Sequence, residues 1–210
     1  LFETGVGGEG GDGGRLLPAL GAEGFSPDVI DTVILTHAHP DHVGGAVDAA
    51  GNPTFPRATY FMSQTEWEFW TTPANLEKVP DWAADTARRK LPPLKPRLKT
   101  IEIETEIVPG VSAIEASGHT IGHLAVEIQA EGKRLLHLAD VALHPIQLEY
   151  PEWYSRLDQF PDQTVATRRA IYNRAVETNA AVVFFHFSPF PSMGRIAAEG
   201  DAWTWRPLPE

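Results

Sequence analysis

One short run constrains this 210-residue chain more than any other: Thr36-His37-Ala38-His39-Pro40-Asp41-His42. It places three imidazoles and a carboxylate on a loop beyond residues 29–36 (VIDTVILT), a β-branched apolar stretch that reads as a buried strand. Imidazole and carboxylate are the donors that suit zinc and similar divalent ions when sulfur is absent. Sulfur ligands are absent here, because the chain has no cysteine, which also excludes disulfides and cysteine nucleophiles. Alternate residues of an extended turn face the same way. His37 and His39 are therefore placed to grip one ion, and Asp41 and His42 to face a second. A polar loop that collected its histidines by chance would not be expected to concentrate ligands in this way.

The same arrangement recurs downstream. Ser117-Gly118-His119-Thr120-Ile121-Gly122-His123 follows a strand predicted over 111–116, and one of its two histidines is expected to complete the first metal. Flanking glycines let the backbone approach a crowded centre. A strand over 133–139 ends in Asp140. A lone carboxylate there usually caps a turn, but third in a series of strand-end ligands it reads as the bridge between two ions. A strand over 181–185 ends in His186. After Phe184-Phe185 a histidine is ordinarily a satisfied core residue, yet it too stands at a strand end. Four strand ends are thus expected to deliver ligands to one sheet edge.

The rest of the chain frames these loops. Gly-rich residues 5–14 match neither the Walker spacing nor a dinucleotide fingerprint. Helices are predicted over 15–22, from 44 to 50, over 82–90 and over 162–178. Ser63 with Glu66 forms a capping box for a helix over 64–71. Strands are expected at 58–62, 124–129 and 202–206, with a tight turn at Glu131-Gly132. The Pro-punctuated insert 73–96 is where a lid or pocket wall would sit. The pattern predicts a layered α/β domain with helices outside, one domain over residues 1–210. No apolar run approaches the ~20 residues of a membrane span. A net charge of −11 without a Lys/Arg cluster opposes nucleic acid. The expected partner is a small-molecule substrate, with no nucleic acid and no membrane. A homodimer is compatible with the sequence, and the expected compartment is cytoplasmic. Leu1 opens an apolar start without methionine, so upstream residues are expected, and a signal peptide among them would change the compartment.

The order H-x-H-x-D-H, then G-H-T-x-G-H, then Asp, then His resembles the metallo-β-lactamase superfamily from Leu1 to the C-terminus. Within it the chain is most similar to the methyl-parathion-hydrolase-like, lactonase-like branch. That branch shares the T-G-x-G-G of residues 4–8, T-H-x-H-P-D-H-V-G-G at 36–45, the Phe69-Trp70 pair and P-F-P-x-x-G at 189–194. The resemblance implies a four-layer αββα sandwich and two divalent metal ions, zinc first, with manganese, cobalt or iron as alternatives. It implies that His37, His39 and His119 hold one ion, that Asp41, His42 and His186 hold the other, and that Asp140 bridges them. Asp41 and Asp140 are the carboxylates of the catalytic centre. His123 falls on a non-ligating position behind the ligands, and His137 and His144 match no role. The implied chemistry is attack by a metal-generated hydroxide on esters, lactones or phosphotriesters. No Gly-x-Ser-x-Gly elbow offers a serine alternative. Trp70 falls on an aromatic pocket position of the branch, and Trp82 supplies a second large ring. Such a wall suits apolar esters better than the charged thioester of a glyoxalase II-like enzyme, the alternative activity. A non-catalytic metal-binding module is the alternative of another class. The chain departs from the family in carrying Glu3 where Asp is usual and Ala139 where Gly precedes the bridging Asp. The strands that usually come before the T-G motif are expected among residues upstream of Leu1.

Overall fold

Residues after the Gly-rich loop alternate helices with short apolar strands, and in the computed structural model this produces a parallel sheet with helices around it. The structure describes residues 1–9 and 14–208; most of the loop, 10–13, lies outside them. Two units are resolved by their internal contacts, Leu1–Glu102 and Ile103–Glu210.

The first unit runs α1 (Leu16–Ala22), β1 (Thr32–Ile34), α2 (Pro40–Val43), β2 (Thr59–Ser63), α3 (Gln64–Thr71), α4 (Pro73–Leu76), α5 (Asp81–Lys90) and β3 (Leu98–Ile101). Its three strands pair in parallel in the order β1-β2-β3. Parallel strands covered on both faces read as continuous apolar runs, and Val33, Leu35, Tyr60 and Met62 are all buried with Trp70, Leu91 and Leu94. The strand β1 is shorter than the apolar run that announces it, because Pro27–Val29 turns as a 3-10 helix. The chain start docks beside β1 in its place: Glu3 N donates to Ile34 O at 3.0 Å, and Ile34 N donates to Leu1 O at 2.9 Å.

The helix expected from 44 to 50 is not there. The helix of this region is α2, four residues earlier, with Pro40 pre-setting the backbone of its first turn. It stops where Gly44 and Gly45 pass against the chain start. A Cβ on Gly45 would meet Thr4 O at 2.2 Å, and Thr4 N and Oγ1 both donate to His42 O. The capping box at Ser63 is half as expected. Ser63 Oγ accepts from Glu66 N at 3.0 Å, but the Glu66 carboxylate accepts from Ala38 N at 3.0 Å instead of returning to the cap.

The second unit holds β4 (Glu106–Val108), β5 (Val111–Glu115), β6 (Leu124–Ala130), β7 (Lys133–Ala139), α6 (Ile146–Glu149), α7 (Pro161–Glu177), β8 (Ala181–Phe184), β9 (Met193–Glu199) and β10 (Ala202–Pro207). These strands form one seven-stranded sheet in the order β10-β9-β8-β7-β6-β5-β4. Glu131 and Gly132 take positive φ, the pair of conformations that a tight β6–β7 hairpin needs. All neighbours are antiparallel except β7 and β8, which run parallel and are joined through α7. It follows that β5, β7 and β8 point the same way, so their C-terminal ends share an edge. This corrects the expectation of four strand ends on one sheet edge: three belong to this sheet, and β1 belongs to the other. On α7, Thr164, Arg168, Ile171, Tyr172 and Ala175 form the buried stripe, a helical spacing in which a charged residue occupies an apolar slot. Among the described residues no helix is long and apolar enough to cross a membrane.

Glu127 on β6 is 2% exposed and lies between Arg134 and Arg174. Burial pushes its carboxyl up, but the two guanidinium groups outweigh that and hold it below the ordinary glutamate range. Because the folded value is depressed, its stabilisation is present above the unfolded glutamate value of about 4.3 and is lost as pH falls through the folded value. Both arginines are more than a third exposed, so Glu127→Gln should cost only about 1–2 kcal/mol at pH 7. Urea unfolding should show that difference at pH 7 and a smaller one at pH 3.5. A pH-independent difference would contradict the assignment.

Candidate metal centre

In the first unit, β1 delivers the chain to Thr36, and the following loop is pinned from behind by two carboxylates. Glu3 Oε1 accepts from Thr36 N at 3.1 Å, and Glu66 accepts from Ala38 N. His37 Nε2 then lies 3.1 Å from His39 Nδ1. The His42 ring is tilted against His37 with centroids 4.0 Å apart, its Nδ1 3.5 Å from Glu3 Oε1 and its Nε2 3.6 Å from Asp41 Oδ2. His37 and His42 are fully buried, while Asp41 is partly open to solvent. Two tryptophans flank His39. Trp70 meets it edge-on at 5.8 Å but is 1% exposed and packed in this unit's core. Trp82, at 5.7 Å, is 47% exposed.

In the second unit, three strand ends converge on Asp140. His119 Nε2 and His186 Nε2 each lie 3.2 Å from the same oxygen, Asp140 Oδ2. Asp140 is buried and follows Ala139, whose φ of 44° lies in the left-handed region that glycine occupies more freely. His123 is fully buried with both ring nitrogens engaged by backbone: Nδ1 is 3.1 Å from Ala116 O, and Nε2 accepts from Asp140 N at 3.2 Å. It supports the peptide that carries Asp140. His144 Nδ1 accepts from Ile146 N at 3.1 Å, and His137 lies within β7 opposite Val126.

Two residues that the sequence reading passed over stand behind His119. Asp158 Oδ1 is 2.8 Å from His119 Nδ1, and Asp158 Oδ2 is 3.2 Å from the Arg168 guanidinium. Burial opposes a charged His119, but Asp140 and Asp158 outweigh it and raise its proton affinity. Burial likewise works against an ionised Asp158, yet His119, Ser155 N and Arg168 hold that carboxyl below its ordinary range. No spacing rule links residue 158 to residue 119; only the fold brings them together. The buried position of Arg168 on α7 is a weak signal that becomes readable once the helix face is known.

The donor set fits zinc. Atoms bound at ~2.0–2.1 Å to one tetrahedral ion stand roughly 3.3 Å apart. The His37–His39 nitrogen pair and the contacts of Asp140 with His119 and His186 come close to that separation. All the donors are imidazole nitrogen or carboxylate oxygen.

The family model described as the metallo-beta-lactamase superfamily matches residues 1–186. The chain is 31% identical over 117 residues to the N-acyl homoserine lactonase AiiA of Bacillus thuringiensis subsp. kurstaki, covering 56% of this chain and 40% of that protein. It is 30% identical over 125 residues to the N-acyl homoserine lactonase of Bacillus cereus, covering 59% and 43%. The chain thus spans about two fifths of the length of these curated relatives. Among solved structures, AidC, a dizinc quorum-quenching lactonase in complex with a product, superposes with a TM-score of 0.88 at 26% identity. The hydrolase AbOPH of the beta lactamase superfamily superposes with a TM-score of 0.90 at 28% identity. Each superposition covers 100% of this chain and 75% of the other. The mixed α/β sheets flanked by helices are those of the metallo-β-lactamase fold. With its family model matched from residue 1 to residue 186 and its histidine and aspartate loops at strand ends, the chain belongs to the metallo-β-lactamase superfamily.

Proposed function

We propose that the two units act as one hydrolase domain that holds two divalent metal ions, zinc first, and opens lactones or related apolar esters. The observation that carries this reading is the single Asp140 oxygen standing 3.2 Å from both His119 and His186. A carboxylate flanked by two imidazoles in that way suits a bridge between two ions. In this reading His37, His39 and His119 hold one ion, and Asp41, His42 and His186 hold the other. Asp41 and Asp140 offset part of the cationic charge. Bound divalent ions supply Lewis acidity and bring the pKa of water from ~15.7 toward ~7. The chain's own part is to fix the donors, to keep them dry and to orient the substrate. Glu3 and Glu66 hold the His37–His42 loop from behind, and the burial of His37, His42, His119 and Asp140 keeps bulk water off the donors.

The substrate class rests on two supports. The curated relatives are named N-acyl homoserine lactonases. The exposed Trp82 ring beside His39 offers an apolar surface suited to an acyl chain or aryl group. Trp70 in this reading backs His39 from the core and does not itself meet substrate.

Replacing Asp140 with Asn keeps the shape and removes the anion. Turnover of N-hexanoyl homoserine lactone by the zinc-loaded protein should fall at least about a hundredfold, with one of two zinc ions lost first on dialysis. Near-normal turnover by Asp140→Asn would contradict the bridge. The tryptophans should separate. Trp82→Ala should raise KM for long-chain lactones with kcat little changed, whereas Trp70→Ala should destabilise the protein by about 3–5 kcal/mol. A Trp82 variant with unaltered KM across acyl-chain lengths would remove that ring from the substrate surface.

A further inference from the structure

Behind His119 lies a buried ion pair that the ligand scheme does not use. Asp158 and Arg168 both have fully buried side chains. Burying two charges is costly, and an ion pair kept in a core is weak evidence of a stabilising role. Here nearly every polar atom of the pair has a directed task. Arg168 Nε donates to Val141 O at 2.7 Å, and one terminal nitrogen donates to Trp153 O at 2.7 Å and Pro151 O at 3.4 Å. The other terminal nitrogen donates to Asp158 Oδ2 at 3.2 Å, and Ser155 N donates to the same oxygen at 2.7 Å. With Oδ2 held twice, the carboxylate is fixed in plane, and Oδ1 is aimed at His119 Nδ1, 2.8 Å away.

An ionised carboxylate only accepts. Asp158 Oδ1 is therefore placed to hold a proton on His119 Nδ1, so that Nε2, the nitrogen 3.2 Å from Asp140, is the one left to bind a metal ion. The same guanidinium also holds the carbonyl of Val141, the residue after Asp140. One arginine thus positions both partners of the His119–Asp140 contact, one through Asp158 and one through the backbone. The loop itself is clamped: Gln159 N donates to His119 O and Phe160 N to Gly118 O, each at 3.0 Å. Gly118 has φ of 138°, and a Cβ there would meet Thr164 of α7 at 2.5 Å.

We infer that Asp158, anchored by Arg168, is a positioning residue that fixes His119 in its Nδ1–H tautomer and so presents Nε2 as a metal-binding lone pair. This rests on the reading of His119 as a ligand, and carboxylate–histidine–metal relays of this kind typically alter metal affinity 10–100-fold when broken.

Two measurements test it. In protein labelled with 15N-histidine, long-range proton–nitrogen correlation reports each ring's tautomer, with His119 assigned by comparison with His119→Gln. His119 should carry a proton on Nδ1 in zinc-free and zinc-loaded wild type alike, whether or not Nε2 is also protonated before zinc binds. A neutral His119 with its proton on Nε2, or zinc on Nδ1, would overturn the inference without any need for an Asp158 variant to fold. Competition with a chromophoric chelator then measures zinc affinity. Asp158→Asn should weaken one of two bound ions 10–100-fold, while Glu127→Gln, which weakens the same unit elsewhere, should leave both unchanged. Two ions held by Asp158→Asn with wild-type affinity would overturn the relay. Wild type that binds fewer than two ions would instead count against the dinuclear reading, and the tautomer measurement would still decide the relay.

Discussion

Everything in the proposed chemistry depends on one carboxylate oxygen. Asp140 Oδ2 stands within hydrogen-bonding distance of two imidazole nitrogens from two other strand ends. That convergence follows from strand direction. Because β5, β7 and β8 run the same way in one sheet, the residues that leave their C-terminal ends arrive at one edge. Reversing any one of the three would send its ligand to the far side. The parallel β7–β8 pair requires a crossover, and α7 is that crossover. The same helix brings Arg168 to the back of the His119 loop.

Clustered imidazoles and carboxylates are costly to hold close together, and the chain answers with carboxylates and backbone amides behind the ligands. Glu3 and Glu66 accept from the amides of Thr36 and Ala38, His123 accepts from the amide of Asp140, and Asp158 faces His119. Two residues take left-handed backbone to make these approaches: Glu3, with φ of 59°, and Ala139, with φ of 44°. Both are positions where the resemblance seen in the sequence leads one to expect another residue, aspartate at 3 and glycine at 139. In both, a side chain accepts a conformation that glycine adopts more freely.

Much of this was legible in the sequence because it is local. Strand-end histidines, the Ser63 cap, the Glu131-Gly132 turn and the long helix over α7 are all signalled by neighbours within a few residues. Where the reading failed, the deciding forces were non-local. The helix expected from 44 to 50 is displaced because Gly44 and Gly45 pack against the backbone of Thr4 and Val6. The strand β3 (LKTI) is only four residues long and follows directly on the Pro-punctuated insert, and β9 (MGRIAAE) carries a single β-branched residue; both depend on pairing with β2 and β8. Glu66 looks like half of a capping box and instead serves a loop 28 residues away, and Asp158 acts across 39 residues on His119. Trp70 and Trp82 are equally apolar in sequence; only burial separates a core ring from an exposed one.

The central claim is that Asp140 lies between two metal ions. A crystal structure of the zinc-loaded protein, phased at the zinc absorption edge, tests it most directly. The account predicts two anomalous peaks ~3.5–4 Å apart, the usual separation of two-metal sites, with the Asp140 carboxylate reaching both. A single peak, or two peaks with Asp140 bound to neither or only one of them, would contradict it.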